Sequence, residues 1–204
     1  MRGTLTGGLP SALKVDGELI PIHTDWRVWI DVWRLVDNPT ADKSAKIVAI
    51  LALIFPREGE SPTPFERALK SPEAALMAAM DFLARKREGA QTRPKTARER
   101  RLEKKRLLDW DYDADRLIAD FEREYRIDLT DPETRLHWWR FMALFGGLSD
   151  TSQMIDAIRT RAADLNDKGL SKEARSSLKE RKIAVMLPAR TKEEAAQNSR
   201  IRGA

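Results

Sequence analysis

The stretch from Leu108 to Leu148 constrains the fold most, because it carries two apolar helical patterns together with their start signals. Asp113 stands at an N-cap position, and apolar residues follow it at helical spacing. Thr130 and Glu133 have the spacing of a capping box, which predicts a second helix that ends at Gly146-Gly147. The stretch therefore predicts a pair of helices that pack through their apolar faces.

The rest of the chain predicts a mainly α fold of helical bundle domains with one small N-terminal β-hairpin. Asp16-Gly17 lies between two short alternating runs and predicts the hairpin over residues 12–23. The run from Ile47 to Phe55 has no polar face and is predicted to be core, as are Leu76 and Met77 of a later helix. Further helical patterns lie over about 25–36, 41–55, 65–87, 150–165 and 171–186.

The basic character of the chain is concentrated in one segment. The net charge is +5, but residues 85–106 hold eleven lysines and arginines against three glutamates, a local charge of +8. Apolar residues are almost absent between Gly89 and Lys105. We therefore expect four parts: residues 1–88 with the hairpin and helices, a basic linker over 89–107, a helical domain over 108–187, and a disordered tail over 188–204.

Several classes of function lack support in the residues. The chain has no cysteine, which excludes disulfides and thiolate catalysis. The longest apolar run, Ile47 to Phe55, is too short for a membrane span, and the N-terminal residues lack the apolar core of a signal peptide. We find no Walker loop, no GxGxxG and no HExxH motif. We expect a cytoplasmic, non-enzymatic protein without cofactor or metal.

Two features inside the opening stretch resemble reactive sites. The acids from Asp109 to Asp115 alternate as in an EF-hand loop, but Ala114 stands where that loop needs glycine. Acids at a helix start are better explained by capping and the helix dipole. His137 could be a catalytic base, but no nucleophile or carboxylate is grouped with it in the sequence. A half-buried histidine on a helix is the interpretation we favour.

Two surfaces remain as candidates for binding. Arg93, Arg98, Arg100 and Arg101 could neutralise nucleic-acid phosphates, although no aromatic residue accompanies them and a charged linker is the favoured interpretation. Trp138 and Trp139 are adjacent, so their side chains point about 100° apart on a helix. One of the pair must then face a further helix or a partner protein, and we expect the pair and Phe145 to bind a partner.

A resemblance to a known family rests on motifs spread along the chain. The run DWDYDADRLIADFEREYRIDL followed by LHWWRFMALFGGLSD resembles the phage family called bacteriophage "gene product fifteen". The Asp16-Gly17 hairpin, Thr24 to Trp29, the Leu-Ile-Phe-Pro run and Ile158-Arg-Thr160 agree with it, so that about residues 4–187 are covered. One departure is Arg126, where the family leads us to expect glycine.

The resemblance implies a protein of siphophages and prophages of Gram-positive bacteria. In that family the gene lies beside the tape-measure gene, where tail assembly chaperones are encoded. The resemblance thus implies a non-enzymatic chaperone that binds tape-measure and tail-tube proteins in the host cytoplasm. A nucleic-acid-binding protein acting through residues 85–106 and a structural virion connector are the alternatives, and self-association is left open.

Overall fold

The computed structural model describes residues 8–40, 42–59, 61–86, 94–103 and 105–203, and it confirms the mainly α fold. Strands β1 (Ala12–Val15) and β2 (Glu18–Pro21) pair antiparallel, with Leu13 opposite Ile20. Asp16 and Gly17 turn the hairpin with positive φ angles of 47° and 90°, as the Asp-Gly signal predicts. The ten helices of the described residues are α1 (Trp26–Asp37), α2 (Lys43–Ile54), α3 (Pro64–Ala68), α4 (Pro72–Leu83), α5 (Ala97–Glu103), α6 (Ala114–Tyr125), α7 (Trp138–Gly146), α8 (Gln153–Ala162), α9 (Lys172–Ala184) and α10 (Lys192–Arg202).

The chain divides into two compact units, each built from two separated segments. The first unit comprises Met1–Thr92 and Pro132–Gly147, and the second comprises Arg93–Asp131 and Leu148–Ala204. This division differs from the expected one, because the segment that contains α7 belongs with the N-terminal helices. The two helices of the opening stretch, α6 and α7, therefore belong to different units.

The core of the first unit forms where α1, α4, α7 and the hairpin meet. Trp29, Phe82 and Phe141 are at most 1% exposed, and Leu13 of the hairpin is fully buried. The Trp26 ring stacks on Phe141 at 4.8 Å between centroids, and the Trp29 ring lies 4.3 Å from Phe82. Such aromatic contacts add about 0.5–1.5 kcal/mol each beyond the buried area.

Helix α7 begins eight residues after the predicted cap at Thr130, because a tertiary bridge replaces the local one. The backbone N–H of Trp26 donates to the Leu136 carbonyl at 3.0 Å, and the N–H of Trp138 donates to the Thr24 carbonyl at 2.7 Å. This antiparallel bridge between Asp25 and His137 holds the residues before α7 extended. The predicted capping box of Thr130 and Glu133 is wrong, and the Thr130 hydroxyl donates to Asp128 instead.

Two apolar side chains that were predicted to be core lie at the surface of the first unit. Met77 is 70% exposed and Val48 is 48% exposed. Helix α4 buries the small residues Ala75 and Ala79 together with Phe82, which turns Met77 to the opposite side. The apolar residues of α2 and α4 therefore predicted both helices correctly, but the prediction assigned too many of their side chains to the core.

The core of the second unit is smaller and more polar. Phe121, Met154 and Leu117 supply its apolar part, at most 4% exposed. The buried residues of this unit also include Asp109, Asp113, Asp120 and Lys182. Residues 192–202 form α10, so the expectation of a disordered tail is wrong there: Thr191 accepts a hydrogen bond from the Glu194 N–H and caps the helix.

Candidate functional site

The structure places both tryptophans of the adjacent pair in the core of the first unit. Trp138 is fully buried and Trp139 is 3% exposed. The Trp138 indole N–H donates to the Leu83 carbonyl at 3.1 Å, and that of Trp139 donates to the Phe82 carbonyl at 3.0 Å. The expectation that one of the pair faces outward is wrong, because the end of α4 receives both indoles.

Those two hydrogen bonds explain how one helix buries neighbouring residues that point 100° apart. Helix α4 ends at Leu83, and the last carbonyls of a helix have no partner within it. The Trp138 indole satisfies the Leu83 carbonyl, and the Trp139 indole is a second donor to the Phe82 carbonyl, which also accepts the Arg85 N–H at 3.0 Å. The Phe82 ring lies 5.5 Å from that of Trp139. The pair is thus a C-terminal cap for α4, a role that adjacency alone does not predict.

His137 also has a structural position rather than a catalytic one. It is the N-cap of α7: its Nδ1 accepts the Trp139 backbone N–H at 3.0 Å, so Nε2 carries the hydrogen and donates to the Pro10 carbonyl at 2.9 Å. Burial lowers the pKa of His137, and the hydrogen bond to Pro10 offsets this in part. The neutral imidazole is the form that the cap requires.

The surface of the first unit is where apolar side chains are available to a partner. Phe145, the third predicted contact residue, is half-buried near the end of α7. The more exposed large apolar residues of this unit were not predicted as contacts. They are Leu9, Leu19, Val36, Val48, Leu69 and Met77, each 39% to 70% exposed.

The basic segment is only partly available for phosphate contacts. Arg93 lies outside the described residues, Arg98 and Arg101 lie in α5, and Arg100 of that helix is exposed. Lys95 is paired with Glu103 across the same segment. The cationic run that the sequence suggested therefore includes at least one side chain that is neutralised within the chain.

Arginines neutralise the buried acids at the start of α6. Asp113 is fully buried and receives two hydrogen bonds of 2.7 Å from Arg161, which is itself 7% exposed, and one of 2.9 Å from Arg116. Asp109 accepts from Arg106 at 2.5 Å and from Arg190 at 2.7 Å. The two buried acids of this run, Asp109 and Asp113, are thus paired with arginine, as a buried charge requires.

Asp120 links two helices of the second unit. Its carboxylate is fully buried and accepts the Ser152 hydroxyl at 2.5 Å and the backbone N–H of Met154 at 2.9 Å. Ser152 in turn caps α8 by accepting the Ile155 N–H. A carboxylate at a helix N-terminus is favoured by the free N–H groups and by the helix dipole. The helical pattern of α6 does not reveal this contact, because its partners lie 32 and 34 residues further along the chain.

The second unit also contains a basic cavity of about 110 Å³ beside α9 and α10. Lys182 is 7% exposed and donates to the Arg161 carbonyl at 2.8 Å. Burial, with the nearby charge of Lys105, lowers the pKa of Lys182 to about 8. The apolar wall of the cavity is formed by Leu107, Met186, Leu187 and Ile201.

The described residues hold no cluster typical of a catalytic or metal centre. No group of three or more histidine or acidic side chains among them is placed to hold a metal ion. None of the helices in the described ranges combines the length and apolar character needed to cross a membrane. The buried polar side chains take part in caps, ion pairs and hydrogen bonds between helices, which defines a mainly α protein with buried charges in its second unit.

Comparison with known proteins then identifies the family. The family model described as bacteriophage Gp15 protein matches residues 5–187, which include parts of both units. The chain belongs to this family and is a bacteriophage protein of the structural or morphogenetic class. No curated protein and no solved structure matches the chain.

Proposed function

We propose that this protein is a non-enzymatic tail assembly chaperone, which binds the tape-measure and tail-tube proteins of its phage in the host cytoplasm. The observation that carries the proposal is the family match over residues 5–187. The resemblance of the motifs to a family encoded beside the tape-measure gene adds the partners.

The surface chemistry of the first unit supports binding to a helical client. Exposed large apolar side chains are the usual anchors when an amphipathic helix lies on a protein surface. Met77 is well suited to such a contact, because methionine is flexible and polarizable and adapts to different side chains. Trp138 and Trp139 support the same surface indirectly, since they hold the end of α4.

Co-expression with the tape-measure protein of the same phage tests the proposal. We expect an affinity tag on this chain to retain the tape-measure protein, and the change Met77→Asp to weaken retention. Glu73→Gln on the same helix is the matched control, because Glu73 is exposed and polar. Absence of retention of both tail proteins by the wild-type chain would refute the proposal.

Purified phage particles separate a chaperone from a structural connector. A chaperone acts before the virion is complete, so we expect mass spectrometry of the particles to lack this chain. A stoichiometric amount in the particle would assign it to the connector class instead. Binding to duplex DNA that is lost with added salt and with Arg100→Ala would favour the nucleic-acid alternative.

A further inference from the structure

Helix α10 packs on the second unit although it lies beyond the residues that the family model matches. The match ends at residue 187, and α10 spans Lys192–Arg202. Four of its residues line the basic cavity at positions i, i+3, i+4 and i+7, which is one face of a helix. They are Glu194, Gln197, Asn198 and Ile201.

The surface that receives this face is formed by residues of the family-matched region. We call it the α10 groove and define it by Lys105, Arg106, Leu107, Lys182, Met186 and Leu187. Arg106 donates to both carboxylate oxygens of Glu194, at 3.2 and 3.1 Å. The Leu187 carbonyl accepts the Asn198 side-chain amide at 3.0 Å. The α10 groove thus contacts a carboxylate, an amide and an aliphatic side chain along one face of a helix.

Arg106 also has hydrogen-bond partners outside α10. Its Nη1 donates to the Asp109 carboxylate at 2.5 Å, and the Asp109 carboxylate also accepts the backbone N–H groups of Asp111 and Tyr112 at 3.0 Å. A carboxylate receptor that is already held in place binds its ligand without a further cost of ordering.

Helix α10 is attached through one partly exposed face. No residue of α10 is buried. A helix of 11 residues is marginal on its own and depends on the contacts of one face. The cavity of about 110 Å³ beside Ile201 shows that this face does not fill the groove. Helix α10 therefore leaves space beside Ile201 that a larger side chain at this position would fill.

We infer that the α10 groove is a binding site for an amphipathic helix of a partner protein that presents a carboxylate to Arg106, and that α10 occupies the groove until that helix displaces it. The partner helix carries a carboxylate at its first contact position and a large apolar side chain seven residues later. Lys105, Arg106 and Lys182 supply the complementary charge. The inference rests on the proposed function in that tail proteins are the expected source of the helix.

Peptide binding to full-length chains tests the groove directly. The open variant carries Glu194→Ala and Ile201→Asp, which remove the two ends of the contact face. The probe is a fluorescent peptide with the sequence of residues 190–203. We expect the open variant to bind the probe about tenfold more tightly than the wild-type chain, because the competing α10 has been removed. Hydrogen exchange of residues 192–202 must become faster in the open variant.

Matched variants show which contacts the probe makes. Lys105→Glu added to the open variant reverses a groove charge and should abolish binding, whereas Lys172→Glu, an exposed change at the start of α9, should leave it unchanged. A probe with Ile201→Phe should bind more tightly than the native sequence because it fills the cavity. A probe with Glu194→Ala and Ile201→Asp should not bind.

Four results would overturn the inference. They are an α10 that stays protected in the open variant, an open variant that does not bind the probe, displacement of the probe by duplex DNA, and a wild-type chain that exchanges α10 into a dimer. If the probe fails while the wild-type chain still retains the tape-measure protein, only the groove is refuted. If the probe binds while neither tail protein is retained, the proposed function fails and the groove stands.

Discussion

Replacing Trp139 distinguishes a core tryptophan from a partner-binding one. The indole is 3% exposed and donates to the Phe82 carbonyl at 3.0 Å. Truncating a buried tryptophan to alanine costs about 3–5 kcal/mol, and the lost hydrogen bond adds about 0.5–1.5 kcal/mol, since the Phe82 carbonyl still accepts the Arg85 N–H at 3.0 Å. The sum, about 3.5–6.5 kcal/mol, is comparable with the whole stability of a typical domain, about 5–15 kcal/mol. Trp139→Ala should therefore unfold the first unit.

Trp139→Phe gives a measurable change, because it keeps a buried ring and removes the indole donor. We expect the free energy of unfolding to fall by about 0.5–1.5 kcal/mol, the net contribution of one hydrogen bond, because the Phe82 carbonyl keeps the Arg85 N–H at 3.0 Å. Trp138→Phe should have a similar effect through the Leu83 carbonyl, to which Trp138 donates at 3.1 Å. Urea denaturation monitored by far-ultraviolet circular dichroism measures the free energy of unfolding of both variants. This signal does not depend on the tryptophans that are replaced.

Met77→Ala is the control for this experiment, since Met77 is 70% exposed and its truncation should change stability by less than about 0.5 kcal/mol. If Trp139→Phe unfolds at the same urea concentration as the wild-type chain but no longer retains the tape-measure protein, the indole belongs to the interface. The assignment of the pair to the core would then be refuted.

Three further predictions concern single residues. Asp120→Ala should destabilise the second unit by about 3–5 kcal/mol in urea denaturation, because a buried charged acceptor is removed. Asp156→Ala is the control: it breaks an exposed ion pair with Arg181 and should cost less than about 1 kcal/mol. Arg126→Gly should raise the free energy of unfolding by about 0.5–1 kcal/mol, because Arg126 ends α6 with a φ of +56° in the left-handed region. Arg126→Ala is the control: alanine has the same backbone strain, so its effect should be neutral. Burial holds the pKa of His137 below its ordinary value of 6.5, so the unfolded chain binds the proton first. The stability that His137 contributes should be complete above pH 6.5 and decline as the pH falls below that value. His137→Asn keeps a capping acceptor and should reduce the decline in the free energy of unfolding between pH 7 and pH 5. An unchanged decline would refute the role of His137.

Local signals in the sequence were reliable where the local backbone decides the structure. Asp16-Gly17 turns the hairpin, α7 ends at Gly146 as predicted, and the helix predicted over about 171–186 is α9. Each of these signals acts through its own backbone or that of residues within one turn. The family resemblance also held, because it depends on the order and spacing of such signals along the chain.

Arg126 shows how the sequence and the structure agree on a detail. The resemblance led us to expect glycine there, and the residue has the left-handed conformation that favours glycine. The N–H of Arg126 donates to the Glu122 carbonyl at 3.1 Å, which is the hydrogen bond of a left-handed helix ending. The backbone conformation that favours glycine is therefore present although the side chain is arginine.

The candidate contact residues were predicted less well, because contacts between distant residues decide which face of a helix is buried. The apolar residues of α2 and α4 predicted buried helices but could not show that the alanines of α4 would pack inward and leave Met77 outside. Likewise, adjacency placed Trp138 and Trp139 100° apart but could not show that the end of α4 accepts both indoles.

By itself the sequence determined the helical class, the hairpin and most helix ends, since these follow from local backbone preferences and capping. Only the tertiary structure decided the rest. The bridge between Asp25 and His137 replaces the capping box at Thr130, because two backbone hydrogen bonds to distant residues hold the intervening chain extended. The same bridge assigns α7 to the first unit, and with it the two tryptophans on which the core of that unit depends.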